Sequence, residues 1–207
     1  MVPAGLEGDV RMMRWIGLLL AALLLTAPAA RAQHPQKPGW GGAPPPGSCS
    51  PEQARDVEHA FREAAQMTRY AIRALDDNPN LPEFRRWFGL GPVAPVRRNL
   101  VIIADYLARQ RPPQIACNSP AMCPRGRFAY TMNATGAMGF CELFFNARSD
   151  GFDSRAGIVI HEVSHAAART RDVAYSIRGA AVLAKDDPAS AAINADNYEY
   201  FVESLRR

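Results

Sequence analysis

The run Ile158-Val159-Ile160-His161-Glu162-Val163-Ser164-His165 constrains this chain more than any other feature, because it sets two histidines four residues apart between apolar flanks. On a helix the two imidazoles stand one turn apart on the same face, and both can reach one metal ion at about 2.0–2.1 Å. Glu162 lies one residue further round, where its carboxylate can address a water on that ion without binding the ion itself. As a plain core helix the same segment would bury two unpaired imidazoles and a carboxylate, at a real desolvation cost. The segment is therefore read as a helix built around zinc.

Two histidines do not hold a catalytic zinc, so a third protein ligand is required. The chain has 4 histidines. His34 falls in a Pro/Gly-rich stretch, which leaves His59 or a carboxylate, and His59, next to Glu58 in a helical pattern, reads as a surface or boundary residue. Asp172 follows His165 after the segment Ala166 to Arg171, long enough for the helix to end and the chain to fold back under the metal. Tyr175 then falls near enough to donate a hydrogen bond to a tetrahedral oxyanion. Asp196 or Glu199, from a later helix, is the alternative third ligand.

Residues 1–32 have the three parts of an export signal, which removes them from the fold. Arg11 and Arg14 are the positive flank, Trp15 to Leu25 is an apolar run short for a bilayer span, and Ala30-Arg31-Ala32 is a small-x-small cleavage site. Translation can also begin at Met12 or Met13, and the mature chain is expected to start near Gln33. Residues 33–48, QHPQKPGWGGAPPPGS, form a flexible lead-in, and residues 49–207 suit one compact domain, expected to be a monomer. No later run is apolar enough for a span, so an extracellular or periplasmic protein without stable membrane association is expected. The 24 Lys+Arg scatter among the 20 Asp+Glu instead of clustering with aromatics, so no nucleic-acid partner is expected. Cys49, Cys117, Cys123 and Cys141 all lie beyond the signal and are expected to form two disulfides, with three connectivities open.

In the first helix Ser50 is the expected N-cap, Pro51 the first helical residue and Gln53 the partner in a capping box. Ala54, Val57, Phe61, Ala64, Thr68, Ile72 and Leu75 recur at helical spacing until Asp-Asp-Asn-Pro-Asn stops the run. A second helix follows Trp-Phe-Gly-Leu-Gly-Pro, with Val96, Leu100, Ile103 and Leu107 inward. Residues 127–145 mix aromatics with Asn-Ala-Thr-Gly and read as two short strands joined by a turn, where Asn133-Ala134-Thr135 fits a glycosylation sequon. Helical periodicity returns from Ser154, with breaks near Thr170 and at Lys-Asp-Asp-Pro-Ala-Ser. The sum is an α+β domain, helical at both ends with a small sheet between.

The pattern His161-Glu162-x-x-His165 followed by Thr170-x-Asp172-x-x-Tyr175 resembles the deuterolysin-type aspzincins, and most closely their lysine-specific metallo-endopeptidase branch. Cys-Ser-Pro-Glu-Gln, Trp-Phe-Gly, Phe-Ala-Tyr, Asp-Ser-Arg-Ala-Gly and Asn-Ala-Asp-Asn-Tyr-Glu-Tyr-Phe occur in the same order, so the likeness runs over about residues 49–203. It implies a mainly helical zincin-like metalloprotease domain with a small antiparallel sheet, one Zn2+ per chain, and protein or peptide substrates. It also implies that His161, His165 and Asp172 hold zinc, that Glu162 is the catalytic base and Tyr175 the transition-state donor. Asp196 and Glu199 match the acidic pair lining a pocket for the lysine after the cleaved bond, and as residues i and i+3 they share a helix face. The same likeness pairs Cys49 with Cys117 and Cys123 with Cys141. The chain departs from the family where Arg169 and Ser176 replace glycines and where the segment between His165 and Asp172 is about two residues short. Those departures motivate an alternative, a protease-like binding module with impaired catalysis.

Overall fold

The structure, a computed structural model, describes residues 47–206 apart from Gln110. The expected export signal and nearly all of the lead-in lie outside the described residues. Helix α1 (Pro51–Asp77) starts on a capping box, with Ser50 Oγ accepting from the Gln53 N–H at 3.1 Å and Gln53 Oε1 from the Ser50 N–H at 2.9 Å. Its buried stripe, from Val57 and Phe61 to Ala71 and Leu75, packs on helix α3 (Val93–Arg109), whose Val96, Leu100, Ile103 and Leu107 face inward as their spacing requires. Between them a short helix, α2 (Pro82–Phe88), buries Phe84, Trp87 and Phe88. Seven residues are too few for a periodic signal, so the sequence pattern does not reveal it.

Residues 129–132 and 137–140 form the expected hairpin, strands β2 (Ala129–Met132) and β3 (Ala137–Phe140) of the sheet. A third strand, β1 (Ile115–Cys117), pairs in parallel with β3, so the order is β1-β3-β2 and the sheet is mixed where two antiparallel strands were expected. Only three residues long, β1 carries no alternation to read, and the Cys49–Cys117 disulfide ties it to the start of α1. The second disulfide, Cys123–Cys141, joins the segment before β2 to the end of β3. After a single turn, α4 (Glu142–Phe145), the metal-motif helix α5 (Arg155–Ala168) runs through the core against α1, α3 and β2. Helices α6 (Ser176–Asp186), α7 (Pro188–Ala191) and α8 (Ala195–Ser204) complete the domain, and α8 lies along α5. Among the described residues no helix is long and apolar enough to cross a membrane.

Two backbone positions decide how the site elements meet. Helix α5 begins at Ser154, whose side chain accepts from the Gly157 N–H, and the Glu203 carboxylate of α8 accepts from Ser154 N, Ser154 Oγ and Asp153 N at 2.9, 2.7 and 3.2 Å. That grip brings Glu203 so close that a Cβ on Gly157 would lie 1.9 Å from its Oε1. At its other end α5 terminates through Arg169 in the left-handed region, φ 58 and ψ 35, and the chain turns again at Ser176 with φ 72. Both positions where the resemblance expects glycine have a positive φ.

Opposite responses to glycine exchange are expected. Gly157→Ala must push out a carboxylate held by three hydrogen bonds and should cost about 2–3 kcal/mol, a Tm loss of about 5–10 °C by scanning calorimetry. Arg169→Gly removes left-handed strain of about 1–2 kcal/mol, partly offset by the freer unfolded chain, and should leave Tm unchanged or raise it by up to about 3 °C.

Candidate metal centre

His161, Glu162, His165, Asp172, Tyr175, Asp196 and Glu199 line one open cleft between α5, β2, the 170–176 turn and α8. His59 does not: it sits on α1 beside Glu63, with Nδ1 and Oε2 3.9 Å apart. Three donor atoms converge. His161 Nε2 and His165 Nε2 are 3.2 Å apart, and Asp172 Oδ1 lies 3.2 Å from the first and 3.1 Å from the second. Four tetrahedral ligands at 2.0–2.1 Å from zinc would stand about 3.3 Å apart, so this triangle is the size of one face of a zinc tetrahedron.

The protons on the two rings show why a cation belongs there. His165 Nδ1 lies 3.0 Å from the Thr170 carbonyl oxygen, which can only accept, so the Nδ1–H donates to it. His161 Nδ1 faces carboxylate oxygens of Asp196 at 2.9 Å and Glu199 at 3.3 Å and donates to them. With Nδ1 bonded to these oxygens, each ring turns its Nε2 toward the other and toward the Asp172 carboxylate. Three lone pairs pointed at one spot repel unless a proton or a metal ion sits between them, and such outer partners are the usual means of orienting metal-bound histidines.

The same geometry separates the alternative ligands. Asp196 and Glu199 stand on the Nδ1 side of His161, on the opposite edge of the ring from His165 and Asp172. They cannot share one ion with both Nε2 atoms.

The surroundings are rich in negative charge. Burial would lower the His161 pKa, yet hydrogen bonds to Asp172, Asp196 and Glu199 hold it well above the usual value. Burial also opposes ionisation of Asp172, but its bonds to His161 and His165 outweigh that and keep the carboxyl far below the ordinary range. Glu162, 6 % exposed, has its pKa raised by burial, against the pull of the two histidines and of Thr131. Burial pushes Glu199 up to about 7, and its Oε1 is buried with no hydrogen-bond partner. A dication would offset this local excess of carboxylate.

Three further residues build the site: Thr131 carries no sequence signal, and Thr170 and Asn194 fall within the family-like motifs without a role attached to them. Thr131 Oγ1, on edge strand β2, donates to Glu162 Oε2 at 2.7 Å and fixes that carboxylate on the cleft wall. Thr170 supplies the carbonyl behind His165, and its hydroxyl bonds Ser164 Oγ at 2.6 Å. Asn194, fully buried just before α8, accepts from the Val173 and Ala174 N–H groups at 2.7 and 3.1 Å and donates to the Ala174 carbonyl at 3.0 Å. Together with the backbone pairing of Arg171 to Ile193 and Ala195, and of the Ser176 N–H to Asp196 Oδ2 at 2.8 Å, this laces the Asp172 turn to α8. Arg171 lines the cleft, whereas Arg169 does not.

Comparison with known proteins places these features in context. The aspzincin family model described as lysine-specific metallo-endopeptidase matches residues 74–203. An extracellular protease of Aeromonas hydrophila is 33% identical over 165 residues, 76% of this chain and 46% of that protein. A peptidyl-Lys metalloendopeptidase of Grifola frondosa is 44% identical over 82 residues, 38% of this chain and 24% of that protein. The chain thus spans less than half the length of these curated relatives. A solved zinc peptidase from Grifola frondosa superposes with a TM-score of 0.65 at 29% identity, covering 75% of this chain and 97% of that one. With a match that runs from the end of α1 nearly to the end of α8, the chain belongs to the aspzincins, the family of lysine-specific metallo-endopeptidases.

Proposed function

We propose that this chain is an exported, monomeric zinc endopeptidase that cleaves polypeptides on the amino side of lysine, with one Zn2+ held by His161, His165 and Asp172. Residues 1–32 would be its export signal, 33–48 a Pro/Gly-rich lead-in and 49–207 the protease domain. The observation that carries the reading is the triangle of two Nε2 atoms and a carboxylate oxygen, each edge 3.1–3.2 Å, with the Nδ1 of both rings facing oxygen acceptors from behind. Names of relatives support the chemistry, since peptidyl-Lys metalloendopeptidases and a zinc peptidase align with this chain.

Zinc, when bound, supplies Lewis acidity, polarising a carbonyl and lowering the pKa of a water to about 7. Glu162 stands beside the ligand set on the same helix without joining it, and its raised pKa suits a group that takes a proton and later delivers it to the leaving amine. Thr131 holds that carboxylate in place. Tyr175, 64 % exposed at the cleft edge and near Asp172, has its pKa raised by burial first and by Asp172 second, so its hydroxyl keeps its proton as a donor to an oxyanion. Asp196 and Glu199 bring negative charge to the cleft, and the unpartnered Glu199 Oε1 offers an acceptor to a lysine ammonium. The competing idea of an impaired binding module rests on the replaced glycines and on the short segment before Asp172; against the first, Arg169 and Ser176 themselves hold positive φ.

Cleavage-site mapping by mass spectrometry on a denatured protein, with zinc measured in the same samples, tests this. The mature chain should cut before lysine. Glu162→Gln should lose at least about 10²–10⁴ in rate while keeping zinc. Asp172→Ala should lose zinc affinity by more than about 100-fold. A chain that binds zinc through Asp172 and cuts nothing would refute the enzymatic reading.

A further inference from the structure

The cleft, about 990 Å³ in volume, carries both signs of charge on its wall, and the fold keeps them apart. Five carboxylates line it, and so do three exposed arginines, Arg125, Arg127 and Arg171. Among the described residues none of these arginines pairs with a carboxylate, whereas others, such as Arg97 and Arg155, do. Three cations that share a cleft with five acids and neutralise none of them form a separate stretch of wall.

Two distant segments supply that stretch. Pro124 to Arg127 form a turn closed by the Arg127 N–H on the Pro124 carbonyl at 3.3 Å, with Gly126 at φ 92, a conformation that favours glycine. Arg125 and Arg127 flank that glycine. The Cys123–Cys141 disulfide before the turn, and the Cys141 N–H on the Phe128 carbonyl at 2.8 Å after it, tie both ends to β3. Arg127 Nη1 donates to the Met122 carbonyl at 2.9 Å, which leaves the rest of its fork for a ligand. Arg171 comes from the segment before Asp172. Its N–H donates to the Ile193 carbonyl at 2.8 Å and its carbonyl accepts from the Ala195 N–H at 3.0 Å, so the backbone is clamped and the side chain alone can reach outward.

Guanidinium groups keep their charge at every working pH, and their planar forks match carboxylates. Arg127 lies four residues before Thr131, the residue bonded to Glu162, so its backbone stands at most about 14 Å from that point. An extended substrate spans the same distance in about four residues. We propose that Arg125, Arg127 and Arg171 form a subsite for acidic side chains of the substrate, so that lysines with aspartate or glutamate within about four residues are favoured. This rests on the endopeptidase reading above.

The test is peptide affinity, read by fluorescence anisotropy on zinc-loaded Glu162→Gln, which should hold peptides without cutting them. Two sets of lysine peptides differ only in carrying aspartate or asparagine at the second to fourth positions on either side of the scissile bond. The aspartate set should bind about 3- to 10-fold tighter at about 20 mM salt, and the gap should shrink below about twofold at about 0.5 M, because exposed charges are screened. Adding Arg125→Gln and Arg171→Gln should close the gap at low salt. Arg125→Glu with Arg171→Glu should reverse it, a result that misfolding cannot imitate. Equal affinities for the two sets, no binding of either, or a gap that survives the glutamine exchanges would overturn the assignment. If the gap appears but the unaltered chain cleaves neither set, the endopeptidase reading fails and the anionic subsite stands.

Discussion

Six hydrogen bonds between residues 171–176 and 193–196 fix where Asp172, the proposed third metal ligand, stands. Asp172 sits on a turn with few glycines, and a free turn of that composition would sample many backbone states at about 1–2 kcal/mol per residue to fix. Asn194 meets that cost by presenting one amide to three backbone groups of the turn, while its own Nδ2 also reaches Asn197 Oδ1 at 2.6 Å. Asn197 in turn donates to the Trp87 and Ala180 carbonyls, so the anchoring ends in the cores of α2 and α6. A buried polar network of this kind is stable only when every member is satisfied, and this one is. The ligand turn is shaped on α8 more than by its own sequence.

Helix α8 therefore serves several ends at once. Asp196, Glu199 and Glu203 fall at intervals of three and four, on the face turned to α5. Asp196 and Glu199 sit behind His161, and Glu203 grips the start of the metal helix at Ser154. Bringing buried carboxylates together raises their pKa values, first through burial and then through one another, and Glu203 is pushed up to about 9. A glycine at 157 is what lets that acidic face approach the helix backbone closely. The arrangement is unfavourable without positive charge nearby, which is the condition a dication and a lysine side chain would meet.

Much of this was legible in the chain. The spacing of His161 and His165, the capping box at Ser50 and the stripes of α1 and α3 are local patterns with a fixed period, and local patterns survive translation into structure. Position after His165 nominated Asp172 with other ligands left open, and the family likeness supplied the disulfide pairing, which no spacing could fix. The roles of Thr131 and Asn194 were illegible because their work is done across long separations, 31 residues from Thr131 to Glu162 and about 20 from Asn194 to the turn, whereas Thr170 acts only five residues from His165 and its residue type alone reveals no role. Asn194 and Asp196 also look alike as polar residues at a helix start, and only contacts distinguish the turn's anchor from the ring's partner. The parallel strand β1 was missed for a different reason, since three residues show no periodicity.

The account turns on which edge of His161 the metal occupies. Crystals of the zinc-loaded mature chain, measured on both sides of the zinc absorption edge, would place the ion directly by anomalous scattering. The account predicts one peak about 2.0–2.1 Å from His161 Nε2, His165 Nε2 and Asp172. A peak on the Nδ1 side, between His161, Asp196 and Glu199, would contradict it, and would turn the proposed lysine pocket into the metal site.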